Sequence, residues 1–153
     1  MVPVSSIKTA LYQYRGTKAE IERLKARMAE ITELREETCE QLKAVVASMT
    51  PKSQTNTVGD PTFEAVDKLV RLYGQEERRI AREIERLTKQ NAAVESAISR
   101  AGLNEVEHKL IRYKYLDSPA RNMTWISMNL VYCRSNCYKV HNKAVKKIIS
   151  GQK

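Results

Sequence analysis

A seven-residue repeat of apolar side chains limits the folds open to this chain more than any other feature of its sequence. Between residues 5 and 49, one position of the repeat holds Tyr14, Ile21, Met28, Leu42 and Met49, with Arg35 as the polar exception. The other position holds Ala10, Leu24, Ile31 and Val45, with Thr17 and Thr38 as polar exceptions. Apolar residues at this spacing form one stripe along an α-helix, which is buried against another helix. We therefore predict one long helix over residues 5–49, capped by Ser5 or Ser6.

The repeat returns over residues 62–100 after an interruption. One position of the repeat holds Phe63, Val70, Ile84 and Ile98, with Glu77 and Asn91 as polar exceptions. The other position holds Val66, Tyr73, Ile80, Leu87, Val94 and Ala101. The intervening TPKSQTNTVGDP, residues 50–61, has the proline, glycine and small polar residues of a loop, and Pro61 suits the first position of the next helix. Residues 1–102 therefore predict an antiparallel coiled-coil helical hairpin, which Gly102 would end.

The polar exceptions indicate how the two helices pair. In an antiparallel hairpin, repeat positions whose numbers sum to 112 lie opposite each other, which brings Arg35 within a turn of Glu77. The two residues would form an ion pair that fixes the register, or both would tip toward solvent. Asn91 in the seam would select the register or the number of partners. Because two helices leave the flanks of the seam wet, we expect a homodimer, with hairpins either closed within one chain or exchanged between two.

Residues 103–153 have shorter helical signals. Asn104 followed by Glu107 forms a capping box for a helix to about Leu116 that buries Val106, Leu110 and Tyr113, and Asp117-Ser118-Pro119 ends that helix. Two apolar-periodic segments follow, over residues 123–130 and 134–149. The tight turn Val131-Tyr132-Cys133 connects them. This arrangement predicts a small three-helix domain with a helix-turn-helix, and the whole chain is predicted to be all-α.

The positive charge of the chain lies at its C-terminal end. Residues 1–102 hold 17 basic and 15 acidic residues, a difference of +2, whereas residues 103–153 hold 10 and 3, a difference of +7. A strongly basic segment beside a near-neutral one predicts that the C-terminal segment binds a polyanion such as double-stranded DNA. The alternative is ordinary surface charge that keeps the chain soluble.

The second helix of a helix-turn-helix lies in the major groove of DNA, so its outer residues are candidates for DNA contacts. Those predicted to contact bases, Arg134 and Asn136 foremost, are Arg134, Ser135, Asn136, Tyr138, Lys139 and Asn142. Those predicted to contact phosphates are Arg121, Thr124, Lys143, Lys146 and Lys147. The inward stripe is predicted to be Cys137, Val140, Ala144 and Ile148. Tyr138 could instead be an exposed packing residue, and His141 is expected to pack and not to contact DNA.

The sequence predicts neither a metal site nor an enzyme. Cys133, Cys137 and His141 are spaced by four, but three ligands along one helix span roughly 12 Å, too far for a single zinc ion. Glycine-rich phosphate loops and serine-centred nucleophile motifs are missing, so no cofactor is expected. Three cysteines, the lack of a secretory signal and the lack of a long apolar run predict a cytoplasmic protein with no membrane contact.

The C-terminal segment also resembles a known family. EHKLIRYKYLDSPARNMTWISMNLVYCRSNCYKVHNKAVKKII, within residues 105–149, is similar to the C-terminal part of phage and prophage transcriptional regulators of the ArpU/RinA type, itself similar to the fourth conserved region of sigma-70 factors. The matching features are Arg112-Tyr113 or Lys114-Tyr115, Thr124-Trp125, Tyr132, and Tyr138 to His141 with Lys143 to Val145. Cys133 stands where the family usually has a serine cap, and the spacing from Trp125 to the turn is about two residues shorter.

The resemblance implies a sequence-specific transcriptional regulator of phage or prophage genes, associated with the nucleoid of a bacterial host cell. It also implies that this regulator activates late genes and engages RNA polymerase. Two alternatives remain open at the level of sequence. One is a DNA-packaging recognition subunit of the small-terminase kind, which would form rings. The other is a coiled-coil protein whose basic tail binds nucleic acid without sequence preference.

Overall fold

The computed structural model describes residues 4–48 and 61–151, and every element in those ranges is helical. The helices are α1 (Val4–Ser48), α2 (Pro61–Arg100), α3 (Glu105–Ile111), α4 (Met123–Leu130) and α5 (Arg134–Ser150), with a π-helical turn, Arg112–Leu116, directly after α3. The predicted all-α class is confirmed for these residues. Of the predicted loop, residues 50–60 lie outside the described residues.

The ends of the helices follow local capping chemistry. The amide of Glu107 donates to Asn104 Oδ1 at 2.8 Å and the amide of Asn104 donates to Glu107 Oε2 at 3.3 Å, so the predicted capping box is confirmed. Gly102 follows α2 with a φ of +63°, the left-handed conformation predicted for a terminating glycine. The expectation of a cap at Ser5 or Ser6 is wrong, because α1 already begins at Val4.

One compact unit consists of Glu22 to Ser48 of α1 and Pro61 to Glu85 of α2. Its seam buries Leu24, Ile31 and Ile80, which all belong to the predicted stripes. Arg35 Nε donates to Glu77 Oε1 at 2.6 Å, which joins the two residues that the antiparallel register places opposite each other. The long helices of this unit therefore pack as a hairpin.

A second compact unit combines α1 up to Ile21, α2 from Arg86, and all of α3 to α5. Its largest core draws on both long helices and on the C-terminal ones: Ile7, Ala10, Leu11, Tyr14, Val94, Ala97, Ile98, Ile111, Tyr115, Ala144, Val145 and Ile148. Contacts thus group the beginning of α1 and the end of α2 with α3 to α5. The domains 1–102 and 103–153 stay a prediction about how functions divide along the chain.

Asn91 is a buried polar residue of this second unit. It is only 7% exposed, and its Oδ1 has no hydrogen-bond partner among the described residues. A buried carbonyl oxygen without a partner costs roughly 1–3 kcal/mol. The sequence places Asn91 in the seam, and we infer that the unpartnered oxygen lowers the stability of the single chain.

Within the described residues, the helices are too polar or too short to cross a lipid bilayer.

Candidate nucleic-acid interface

The helices α3, α4 and α5 pack on one another and hold the candidate interface in place. A small core of Leu110, Met123, Ile126 and Cys137 lies between them, with Trp125 and Val140 at its edge. On α5, Cys137, Ala144 and Ile148 are buried and Val140 is half-buried, so the predicted inward stripe is confirmed. The side of α5 opposite this stripe is exposed to solvent and can face a partner.

All six residues predicted to contact bases are exposed on α5, namely Arg134, Ser135, Asn136, Tyr138, Lys139 and Asn142. Ser135, Lys139, Asn142 and Lys146 are spaced by four, three and four residues, which places them along one line of the helix surface. This line lies opposite the buried stripe, whereas Asn136 lies toward one edge of the exposed face and Tyr138 toward the other. Helical spacing thus places Ser135, Lys139 and Asn142 at the centre of the exposed face, and base contacts by Arg134 and Asn136 stay a prediction.

A three-residue turn joins α4 to α5 and sets the start of the exposed helix. Val131 ends α4 in the left-handed region, with φ 58° and ψ 40°, and is 89% exposed. The amide of Tyr132 donates to the carbonyl of Ser127 at 3.1 Å, and Cys133 occupies the N-cap of α5. A β-branched residue rarely adopts a positive φ, so the turn is strained at Val131.

Cys133 places a thiol beside the candidate base contacts. Its Sγ lies 3.3 Å from Ser135 Oγ. That hydrogen bond, the backbone amide of Asn136 and the charge of Lys139 lower the pKa of the thiol below its usual value. The thiol therefore helps to orient the Ser135 hydroxyl in the first turn of α5.

Aromatic contacts support the residues before and in α4. The ring of Trp125 meets the ring of Tyr113 edge-on, with centroids 5.1 Å apart, and the guanidinium of Arg121 lies 4.3 Å from the Trp125 centroid. Asn122 caps α4 by accepting from the amide of Trp125 at 2.8 Å. Thr124 is exposed beside this cap. Arg121 is thus held by Trp125 in a defined position, next to the exposed start of α4.

Among the predicted phosphate contacts, Lys143 and Lys146 are exposed on α5, but Lys147 has a partner within the chain. Lys147 Nζ donates to Glu107 Oε1 at 3.0 Å and to Oε2 at 2.9 Å, and Glu107 is only 2% exposed. Burial alone would raise the pKa of Glu107. Hydrogen bonds from Lys147 and from the amide of Asn104, with the charges of Lys147 and Lys143, outweigh burial and lower the pKa. Lys147 therefore stabilises the fold through its ion pair with Glu107, and a contact between Lys147 and a DNA phosphate stays a prediction.

His141 is a packing residue, as expected. It is buried, and its Nε2 lies 2.5 Å from the hydroxyl of Tyr115. Burial lowers the pKa of His141, and the charges of Lys114 and Lys8 lower it further, against an opposing hydrogen bond with Asn142. The neutral imidazole is therefore the form that fits this core.

Arg15 is an important residue that the sequence did not reveal. From α1 its Nε donates to the carbonyl of Asp117 at 2.9 Å, and its Nη2 donates to the carbonyls of Lys114 at 2.9 Å and Tyr113 at 3.4 Å. A cation at these carbonyls caps the end of the π-helical turn. Because the acceptors are backbone atoms, which every residue has, no sequence pattern could have identified them.

The structure separates the residues that resemble a zinc motif. Cys133 is exposed, Cys137 packs in the core with Met123, and His141 bonds to Tyr115. Within residues 4–48 and 61–151, histidine, cysteine, aspartate and glutamate side chains nowhere gather in the groups of three that a metal ion needs.

Comparisons of the chain with models of protein families, with curated proteins and with solved structures gave no match.

Proposed function

We propose that this chain is a sequence-specific DNA-binding transcriptional regulator of phage or prophage genes, and an activator of late genes. A helix-turn-helix formed by α4 and α5 would bind double-stranded DNA, with α5 in the major groove. The protein would act as a homodimer in the cytoplasm of a bacterial host, where it could contact RNA polymerase. The late-gene and polymerase roles come from the resemblance to ArpU/RinA-type regulators alone.

The exposed face of α5 is the observation that carries the proposal. Its inner side is buried against α3 and α4, while its outer side presents Ser135, Lys139, Asn142 and Lys146 to solvent. Hydroxyl and amide groups can recognise base edges, and lysine can bind either a guanine edge or a phosphate. The excess of seven positive charges in residues 103–153 supports binding to a polyanion.

The test is binding of the purified full chain to DNA at about 150 mM salt, because salt concentration decides how strongly charge alone contributes. The DNA comprises tiled fragments of the genome that encodes the protein and a random-sequence library for selection. Regulation predicts preferred binding to a late-promoter fragment and one enriched sequence. Lys139→Ala and Asn142→Ala should each weaken binding to the preferred sequence by about 5- to 100-fold, with less effect on random DNA.

The matched control is Lys43→Ala, which removes a side chain that is 75% exposed on α1, outside the candidate interface. It should leave selectivity unchanged. Preference for a packaging-start fragment, together with a ring-shaped oligomer, would replace regulation with the small-terminase function. Equal binding to every fragment, unchanged by Lys139→Ala or Asn142→Ala, would reduce the C-terminal segment to a charge-driven anchor.

A further inference from the structure

Three leucines are exposed on the compact unit formed by residues 22–48 and 61–85. They are Leu34 on α1 at 42% exposure, and Leu69 and Leu72 on α2 at 43% and 48%. Leucines along a solvated coiled coil are usually replaced by polar residues unless another surface covers them. We call Leu34, Leu69 and Leu72 the leucine strip.

The register of the hairpin places the leucine strip on one side. Leu34 and Arg27 directly precede seam positions 35 and 28, and Leu69 and Glu76 directly precede seam positions 70 and 77. In an antiparallel hairpin whose seam brings Arg35 to Glu77, the residues directly before the seam positions of α1 and of α2 lie on the same side. Leu72 is three residues from Leu69 and shares its face of α2.

The two helices carry opposite charges around the leucine strip. Residues 30–40 of α1 hold five glutamates and one arginine, a net charge of −4. Residues 68–82 of α2 hold one lysine, four arginines and two glutamates, a net charge of +3. Beside Leu34, a shallow groove of about 360 Å³ is lined by Glu30, Glu33 and Glu37. An acidic helix and a basic helix therefore flank the same apolar surface.

A second copy of the hairpin can cover this side in two symmetric ways. If the two-fold axis is parallel to the helices, α1 of each copy faces α2 of the other, and negative charge meets positive charge along the whole contact. If the axis is perpendicular to the helices, α1 faces α1 and α2 faces α2. Glutamates then oppose glutamates and arginines oppose arginines, which disfavours that arrangement.

We propose that the leucine strip is the docking surface for a second copy of this chain, in the arrangement that sets the acidic α1 segment of each copy against the basic α2 segment of the other. The same residue of each copy then lies at the same level of a four-helix bundle. In both copies α2 leaves the bundle at Glu85, and the two α2 helices do so at the same end of the bundle. This inference deepens the homodimer of the proposed function by naming its surface and its orientation.

The test measures the distance between spin labels on the two copies of the full chain. Ala26 is exposed on α1, and Ala26→Cys in a Cys39→Ser, Cys133→Ser background provides one accessible label per chain besides the buried Cys137. The proposed orientation predicts a label separation within about 25 Å, across the width of a four-helix bundle. In the opposite orientation, equivalent helices of the two copies run in opposite directions about a centre near residue 37. At a rise of 1.5 Å per residue, the two labels then lie more than about 30 Å apart.

Substitutions in the leucine strip test the surface itself. Leu34→Gln and Leu72→Gln should each shift the monomer–dimer equilibrium toward monomer by at least about 10-fold, measured by analytical ultracentrifugation. Met128→Gln is the matched control, because Met128 is 74% exposed but lies on α4. Circular dichroism should show unchanged helix content in all three variants, since each side chain is already exposed.

The outcomes separate this inference from the proposed function. A short label distance that is lost in Leu34→Gln supports it. A dimer with a long label distance, or one indifferent to Leu34→Gln and Leu72→Gln, overturns the inference and leaves the regulator proposal standing. A monomer that still selects one DNA sequence overturns the inference together with the homodimer, but not the DNA-binding role.

Discussion

Val131 shows at the scale of one residue how the turn between α4 and α5 stores strain. Its left-handed conformation costs a β-branched residue roughly 1–2 kcal/mol, and no Cβ contact compensates at a position that is 89% exposed. We expect Val131→Gly to raise the free energy of unfolding by up to about 1 kcal/mol, because glycine adopts this conformation without that cost but loses more backbone entropy.

Urea unfolding measures this change. Val131→Ala is the control, because alanine keeps the Cβ atom and should recover only a small part of the gain. A Val131→Gly variant less stable than the parent chain would mean that the strain at Val131 is smaller than the backbone entropy that glycine loses.

Lys147 balances a buried carboxylate. In Lys147→Met the carboxylate of Glu107, which is 2% exposed, loses its cation, so we expect a loss of about 3 kcal/mol in the free energy of unfolding. Chemical denaturation measures this loss of stability. Lys146→Met is the control, because Lys146 is exposed at the preceding position of α5. Similar small losses in both variants would show that Glu107 does not depend on Lys147.

His141 should make the stability of the fold depend on pH. Burial lowers its pKa, so below the ordinary value of 6.5 the unfolded chain binds a proton that the folded chain resists. The contribution of His141 is therefore fully present above about pH 7 and is lost as pH falls through 6.5 toward the folded pKa.

Unfolding at a series of pH values between about 5 and 8 measures this loss. His141→Gln should remove it in that window. The chain has two histidines, and His108→Gln, at the exposed one, should leave it unchanged. A pH dependence that disappears in His108→Gln instead would contradict this assignment.

At the scale of the helix, we predict that Asn91 lowers the stability of the single chain and restricts how the seam can pair. Its Oδ1 is buried without a partner among the described residues, so Asn91→Leu should raise the free energy of unfolding by about 1 kcal/mol or more. It should also allow additional oligomeric states, since an apolar seam specifies pairing less strictly.

Thermal unfolding and light scattering together test the Asn91→Leu variant. Thr88→Leu, at an exposed position of α2, is the control and should change neither quantity much. A destabilised Asn91→Leu would show that the amide has a partner after all, such as one from a second copy.

The sequence was informative about helices and less so about the contacts between them. Capping residues and breakers such as Asn104, Gly102 and Pro119 act within a few residues, and they marked the helix ends closely. The fixed spacing of the repeat placed Arg35 opposite Glu77, but left open whether the two side chains form an ion pair. The contacts of Arg15 with backbone carbonyls, the burial of Glu107 and the bond of Tyr115 to His141 depend on packing between distant segments, which local patterns do not record.

At the scale of the whole molecule, the uneven charge predicts how DNA binding responds to salt. Each phosphate neutralised by a lysine contributes about −0.9 to the slope of the logarithm of the binding constant against the logarithm of salt concentration. If Lys146 contacts a phosphate, Lys146→Ala should make the slope shallower by about 1 for each bound copy. Lys43→Ala should leave it unchanged, and a slope that responds equally to both would contradict a localised interface.

The core that α1 and α2 share with α3 to α5 limits how parts of this protein can be transferred to engineered proteins. Ile7, Leu11 and Val94 pack with Ile111, Tyr115 and Ile148, so a graft of residues 103–153 alone would carry half of a core and expose its apolar surface to water. A transplantable version needs both segments, residues 4–21 and 86–151, joined by a short linker in place of residues 22–85. The portable unit is discontinuous in sequence, even though helix α5 is not.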